Sequence, residues 1–363
     1  MWLLFGCESL SYYHQAVAGQ LDLLTSRQSV ELLLSDTETT THTQLRFTQI
    51  VLDFAAAGIG LEVGQRYRTY VALDSSAVVW NVFAAQPDSV SGQQWCYPVV
   101  GCAPYRGYFK EEDASYFAGQ LKTEGLETYV APVPAYSTLG WFEDPLLSTF
   151  ISWPKPDLAS LLIHELAHGR VWVNSDVRFN ESFASFVADQ GLHELAKIHS
   201  LDLQQWRSSG RAWQRMKVLL LLLKSSLERS FEREGSFDGS GSFARDDAYA
   251  AFRGCYEAHK PRLGAGRFDQ LVALDLNNAY LVSVGTYEDW QPAFAAIFSS
   301  VGSSWAEFFA EVERLASLDA EARDAQMLSF AEKHIGDGRN HQDADQIHCE
   351  ALTSHGGDAK SAG

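Results

Sequence analysis

The stretch LLIHELAHGR, Leu161 to Arg170, sets His164 and His168 four residues apart, with Glu165 directly after the first. On a helix, residues at this spacing lie on one face, a turn apart, so both imidazoles can reach one metal ion. Zinc takes imidazole nitrogen at about 2.0–2.1 Å. Glu165 is rotated about 100° from His164. From there its carboxylate reaches a metal-bound water rather than the metal, and it can take the water's proton as the water attacks a carbonyl. Leu161, Leu162, Ile163, Leu166 and Ala167 around the motif are uncharged, so the helix is mostly buried. Two histidines and a carboxylate in that setting need partners.

A third ligand follows in FNESFASFV. Glu181 lies thirteen residues beyond His168, near the start of a helix whose buried face carries Phe179, Phe183, Phe186 and Val187. The bland alternative for Glu181 is a favourable interaction with the helix dipole. One Zn²⁺ on His164, His168 and Glu181, with Glu165 as general base, describes a zinc hydrolase. A purely structural zinc has no use for a general base and usually takes four protein ligands.

These residues need elements to hold them. Asp157 can cap a helix running to about Val173, a second helix starts near Asp176, and a long one covers roughly 203–231. Further helices are expected at 9–34, 42–57, 111–124, 246–259, 266–282, 290–299 and 303–316, and REGSFDGSGSFAR, residues 233–245, reads as a break. YRTYVAL and AVVWNVFAA are rich in β-branched and aromatic residues and read as a hairpin; QWCYPVV and ETYVAPV are two more strands. The fold expectation is α+β: a small, mostly antiparallel sheet from residues 67–133, packed on a helical body that carries the metal site. Residues 8–325 form one domain, and 335–363 have the composition of a disordered tail.

The 363 residues carry a net charge of −18 and no Lys/Arg-rich run, which argues against nucleic-acid partners and polybasic membrane docking. No apolar run has the length of a membrane-spanning helix. Residues 1–7, MWLLFGC, look like the end of a lipobox, with Cys7 as the lipid site, although Phe5 fits the pattern poorly and six residues are too few for a signal peptide. A short N-terminus with a chance cysteine is the competing reading. Of the five cysteines, Cys96 and Cys102 are the close pair. They can bridge if the chain reverses between Pro98 and Gly101; otherwise they are buried thiols.

The segments GCESLSYYHQAVAGQ, VVWNVFAAQPDSVSGQQWCYPVVGCAPYRGYF, VPAYSTLGWFEDPLLST, LLIHELAH and FNESFASFV resemble a bacterial family of predicted zinc aminopeptidases, many of them lipoproteins. The likeness covers about residues 6–325. It implies a gluzincin-type, zincin-like peptidase with one zinc and a peptide substrate, held to the periplasmic side of the cell envelope only by lipid on Cys7. Thermolysin-type enzymes share the Asn-Glu pair but with a longer spacer, and where they carry an Asp four residues after this Glu the chain has Ser185. Asp189 and Asn180 are the candidates to orient a ligand histidine instead. The G-x-M-E-N segment of large aminopeptidases is missing from the sequence. Recognition of a free amine would fall to Glu143, Asp144 or Asp189, and endopeptidase action stays open. So do a non-peptide substrate and an interaction module with a structural zinc. For the oxyanion, Tyr136 is the first candidate, with Tyr105, Tyr108 and His193 behind it.

Overall fold

The computed structural model describes residues 4–35, 40–97, 101–135, 143–233, 241–274, 276–285, 290–336 and 347–353, with side chains at all of these except 4–11, 40, 233, 241–244 and 333–336. The chain opens with α1 (Leu4–Thr25), β1 (Gln28–Ser29), α2 (Val30–Leu34) and α3 (Thr40–Phe54), which runs into a π-helical turn at Ala55–Ile59. The strands follow: β2 (Thr69–Val71), β3 (Val79–Ala85), β4 (Trp95–Tyr97), β5 (Gly101–Ala103) and β6 (Tyr105–Tyr108), then α4 (Glu111–Thr123), β7 (Glu127–Val133) and β8 (Leu146–Leu147). The rest is helical: α5 (Ser148–Ile151), α6 (Lys155–His168), α7 (Val177–His199), α8 (Gln204–Arg233), α9 (Gly241–His259) and α10 (Asp269–Ala273), followed by α11 (Asn278–Ser283), α12 (Gln291–Ser300), α13 (Trp305–Ala316), α14 (Ala320–Gly336) and α15 (Glu350–Thr353).

The α+β expectation holds: the chain is mostly helical, with small sheets that are antiparallel except where β2 meets β8. The strands form three sheets, not one: β1-β2-β8, β6-β3-β7 and the β4-β5 hairpin. The expected pairing of YRTYVAL with AVVWNVFAA does not form. β2 has β1 on one side and β8 on the other, which leaves no free edge for β3. β3 instead runs antiparallel between β6 and β7, with Val82 opposite Arg106 on one side and Val130 on the other. Cys96 and Cys102 face each other across β4-β5 and are joined by a disulfide. Gly101 makes the reversal possible at φ 81°, a backbone conformation that glycine adopts without strain.

Three helix expectations change. The 9–34 helix ends at Thr25, where the chain leaves to pair Gln28 and Ser29 with β2. The 266–282 helix splits into α10 and α11, because Asn277 caps a new start by accepting from the Tyr280 amide at 2.9 Å. The 157–173 helix stops at His168, for a reason taken up with the site.

The expected tail needs correcting at 347–353. Ile347, Cys349 and Leu352 are buried in the core shared by α8 and α9, and Cys349 is bonded to Cys255. Residues 337–346 and 354–363 lie outside the described residues, as do Tyr136 and the side chain of Cys7, whose backbone belongs to α1. Among the described residues, no helix is long and apolar enough to cross a membrane.

The largest core joins α3, α6, α7, α12, α13 and α14. Aromatic rings fill it: Phe183 on α7 packs against Phe294, Phe308 and Phe309. Full burial of such side chains stabilises by about 1.5–3 kcal/mol each, which fixes α7 against the C-terminal helices and so fixes the position of Glu181.

Candidate metal centre

Helix α6 begins after Pro154, with Pro156 in its first turn, where a missing amide costs nothing. Leu158, Ala159, Leu162, Ile163, Leu166 and Ala167 are buried, so the helix is held on more than one side. It stops at His168 because the next residues are used differently. The Asn180 side chain clasps the Val173 peptide: its Oδ1 accepts from the Val173 amide and its Nδ2 donates to the Val173 carbonyl, both at 2.8 Å. Ser175 takes φ 64°, which turns the chain. Asp176 then caps α7, accepting from the Phe179 amide at 2.9 Å through one oxygen. Its other oxygen takes the Arg323 guanidinium of α14 at 2.7 and 2.9 Å. Gly169 lies against the Arg66 guanidinium, which would have to shift to admit a side chain there.

This tight turn brings Glu181 back over the two histidines. His164 Nε2 and His168 Nε2 are 3.2 Å apart. Glu181 Oε2 stands 3.3 Å from His164 Nε2, and Oε1 stands 3.6 Å from His168 Nε2. Tetrahedral donors about 2.0–2.1 Å from a zinc ion stand about 3.3–3.4 Å from one another. The two imidazole nitrogens have that spacing, each has a Glu181 oxygen at 3.3 or 3.6 Å, and one donor atom from each of His164, His168 and Glu181 lies within 4.8 Å of the others, so the three residues could hold a metal ion. Among the described residues they are the group of three or more that could do so.

The electrostatics agree with a cation-seeking site. Burial, opposed only in part by Glu181, pushes His168 down to about 4, so its ring is neutral and free to ligate. Burial also works against a charge on His164, but the hydrogen bond to Glu181 and the charges of Glu165 and Glu181 outweigh it and raise its pKa. Burial would raise Glu181; the hydrogen bond from His164 and the two imidazoles bring it below its ordinary value. Burial raises Glu165 to about 7, with His164 opposing and Glu181 and Asp144 adding to the rise. A carboxylate balanced near neutrality is suited to taking and returning a proton.

Other expected residues fall in different places. Asn180 is occupied by the Val173 peptide, and Asp189 pairs with His193, so neither orients a ligand imidazole. His168 Nδ1 is buried, without a hydrogen-bond partner among the described residues. His193 lies twelve residues past Glu181, about 18 Å along the helix, and lines a separate cleft with Lys197 and Arg207. Tyr108 is buried against Phe117. Tyr105, at the start of edge strand β6, is raised first by burial and then by the charge of Glu181. Glu143 is exposed, whereas Asp144 is buried and lines a cavity with Glu165. Arg170, an unusual residue after such a motif, pairs with Glu313 at 2.8 Å and covers the Phe309 ring.

Sequence reasoning missed two contributors. Tyr67 shares the Glu165 cavity, and nothing in QRYRTY marks it. The Asp176–Arg323 pair spans 147 positions, and no local pattern announces a contact of that range.

Residues 11–327 match a family model described as "Putative aminopeptidase". No curated protein and no solved structure matches the chain.

Proposed function

The chain belongs to that aminopeptidase family, and on this premise we propose that it is a zinc-dependent peptidase of zincin type in which Glu165 is the general base. Membership supports peptidase activity and a peptide substrate. The observation that carries the zinc reading is the convergence of two imidazole nitrogens 3.2 Å apart with the Glu181 carboxylate, one donor atom from each residue lying within 4.8 Å of the others. Three protein donors, rather than four, are the catalytic pattern, with one position left for water or substrate.

When bound, zinc supplies Lewis acidity, making water acidic near neutral pH and polarising a carbonyl. The protein supplies the rest. His164 and His168 donate through Nε2, and the neutral state of His168 keeps its lone pair available. Glu165 accepts the proton of the attacking water and returns it to the leaving amine. The oxyanion needs a donor; we assign it to Tyr136, with Tyr105, a described tyrosine on which the Glu181 charge acts, as the alternative.

We also place the mature protein outside the cytosol, on the periplasmic side of the envelope and lipid-anchored at Cys7. The disulfides Cys96–Cys102 and Cys255–Cys349 support this, since such bonds persist in oxidising compartments. If protein purified from the envelope of its host retains the Cys7 thiol unmodified, the anchor assignment is wrong.

The activity test is digestion of a peptide library, with cleavage positions read by mass spectrometry, before and after chelation and after zinc is restored. The reading expects stepwise loss of N-terminal residues that stops on chelation and returns with zinc. Internal cuts with the same metal dependence would make it an endopeptidase. Cleavage indifferent to chelator would overturn the zinc assignment.

A further inference from the structure

Away from the metal centre, a cleft of about 460 Å³ opens where the end of α7 meets the start of α8. That is within the size range of small-molecule sites. Its polar lining is His193, Lys197, Asp202, Gln204, Arg207 and Arg211. Ala196, Leu201 and Leu203 give it an apolar part.

The sign of this lining is unusual for the chain. The sequence carries 46 acidic residues against 28 Lys and Arg, so a basic side chain meets an acid easily. Arg170, Arg178, Arg245 and Arg323 each do. Lys197, Arg207 and Arg211 do not: among the described residues, no ion pair reaches any of the three. The acids nearby are engaged elsewhere. Asp202 gives one oxygen to the Gln204 amide at 2.8 Å, capping the start of α8. Glu194 accepts from the Gln190 side chain and from the Trp305 indole. Asp189 stands 3.7 Å from His193 Nδ1, and burial raises its pKa, with the charges of His193 and Arg207 only partly opposing.

Arg207 is aimed by its neighbour. His193 Nδ1 donates to the Asp189 carbonyl at 2.7 Å. The other nitrogen of the neutral ring is then an acceptor, and Arg207 Nε donates to it at 3.3 Å. The ring is held edge-on to Trp206. One guanidinium N–H is thus used, and the terminal pair of nitrogens, the fork that grips an oxyanion, is left over. Position adds to this. Lys197 lies in the last turn of α7, where a helix dipole favours a cation. Arg207 lies in the first turn of α8, where the dipole disfavours one, and Arg211 follows on the same face. A bound anion would offset that cost.

Cations arriving from two helices suit an anion with oxygens in several directions. A carboxylate has two oxygens in one plane and fills one fork. A phosphate monoester presents three acceptor oxygens and about 1.5–2 negative charges near neutral pH.

We propose that this cleft binds a phosphate monoester, gripped by Arg207, Arg211 and Lys197, with its organic part against Ala196, Leu201 and Leu203. The site is separate from the metal centre and does not rest on the peptidase reading. A soluble ester and the headgroup of a lipid such as phosphatidic acid share this chemistry.

The experiment is calorimetric titration of glycerol 3-phosphate into the full chain, zinc-loaded and metal-free, where the cleft gives the event common to both states. The wild type should bind one equivalent with a Kd of about 1 mM or tighter, and acetate at least tenfold more weakly. Lys197→Gln, Arg207→Gln and Arg211→Gln, all at exposed helix positions, should each weaken binding about tenfold, the scale of hydrogen bonds to a charged group, with unchanged near-UV circular dichroism. Lys122→Gln removes a charge from the exposed face of α4 and should leave binding as it was. Sedimentation with phosphatidylcholine vesicles containing phosphatidic acid identifies the source. Pelleting that Arg207→Gln abolishes assigns the cleft to the lipid headgroup, and titration without pelleting assigns it to a soluble ester. Absence of saturable binding to the wild type, equal affinity for acetate, undiminished binding in the folded Lys197→Gln/Arg207→Gln double variant, or an equal loss in Lys122→Gln would each overturn the proposal.

Discussion

Two helix pairs sit at the centre of this molecule, and they differ in what they bury. Where α8 meets α9, the interior is Met216, Leu219, Leu220, Leu223, Phe252 and Tyr256, and the Cys255–Cys349 disulfide ties α15 onto it. Where α6 meets α7, the interior is just as apolar but also holds His168 and Asn180, with Glu165 at its edge. The first pair is built for stability. The second keeps ionisable groups where burial opposes their charge, and surrounds them with a clasp at Val173, a cap at Asp176 and the Arg323 ion pair. A metal ion is the natural counterpart of that second interior, since it favours a neutral imidazole and an ionised carboxylate together.

The comparison breaks or sharpens under perturbation. The largest effect should come from metal. Zinc at a thousandfold excess over its Kd stabilises by about 4 kcal/mol, read as a rise in Tm, and the rise should vanish in His168→Ala and Glu181→Ala. An equal rise in those variants would place the metal elsewhere. Next comes the staple. Replacing Cys255 and Cys349 by serine should cost about 3 kcal/mol in denaturant unfolding with zinc content unchanged; loss of zinc would mean the two regions are not independent.

A smaller effect separates the regions by pH. Burial raises Glu165 to about 7 from an ordinary 4.5, so the metal-free fold prefers the protonated acid. That preference is fully present below about pH 4.5 and is lost as pH rises through 7. Glu165→Gln cannot ionise. In the metal-free state it should gain about 2 kcal/mol on the wild type between those limits, after allowance for solvent screening. A difference independent of pH would show that Glu165 is not held in a charge-opposing site. In the α8–α9 region, Cys255→Ser should show no such pH-dependent difference.

The histidines of the candidate metal centre were legible because their chemistry is periodic: four residues on a helix make one face, and the apolar flanks of His164 and Phe183 declare burial. The same logic located α4, α7 and α8 to within a few residues. It failed where partners are distant. Tyr13, Val17 and Leu21 have the spacing of a buried stripe, yet all three are exposed; periodicity defines a face and not what covers it. β2 is three residues long, too short for its pattern to choose among β1, β3 and β8. Cys349 sits in tail-like composition, and only its long-range bond and the burial of Ile347 and Leu352 reveal that the segment is packed. Glu143 and Asp144 are adjacent in the sequence, and no pattern there distinguishes exposed Glu143 from Asp144, which is buried in a cavity it shares with Glu165.

The central claim is that Glu165 moves the proton in a reaction for which His164, His168 and Glu181 only hold the metal. The direct measurement is peptide hydrolysis by Glu165→Gln purified with its zinc quantified by elemental analysis. The account predicts one zinc per chain, as in the wild type, and a loss of kcat of at least a hundredfold. Full zinc with activity within tenfold of the wild type would contradict it.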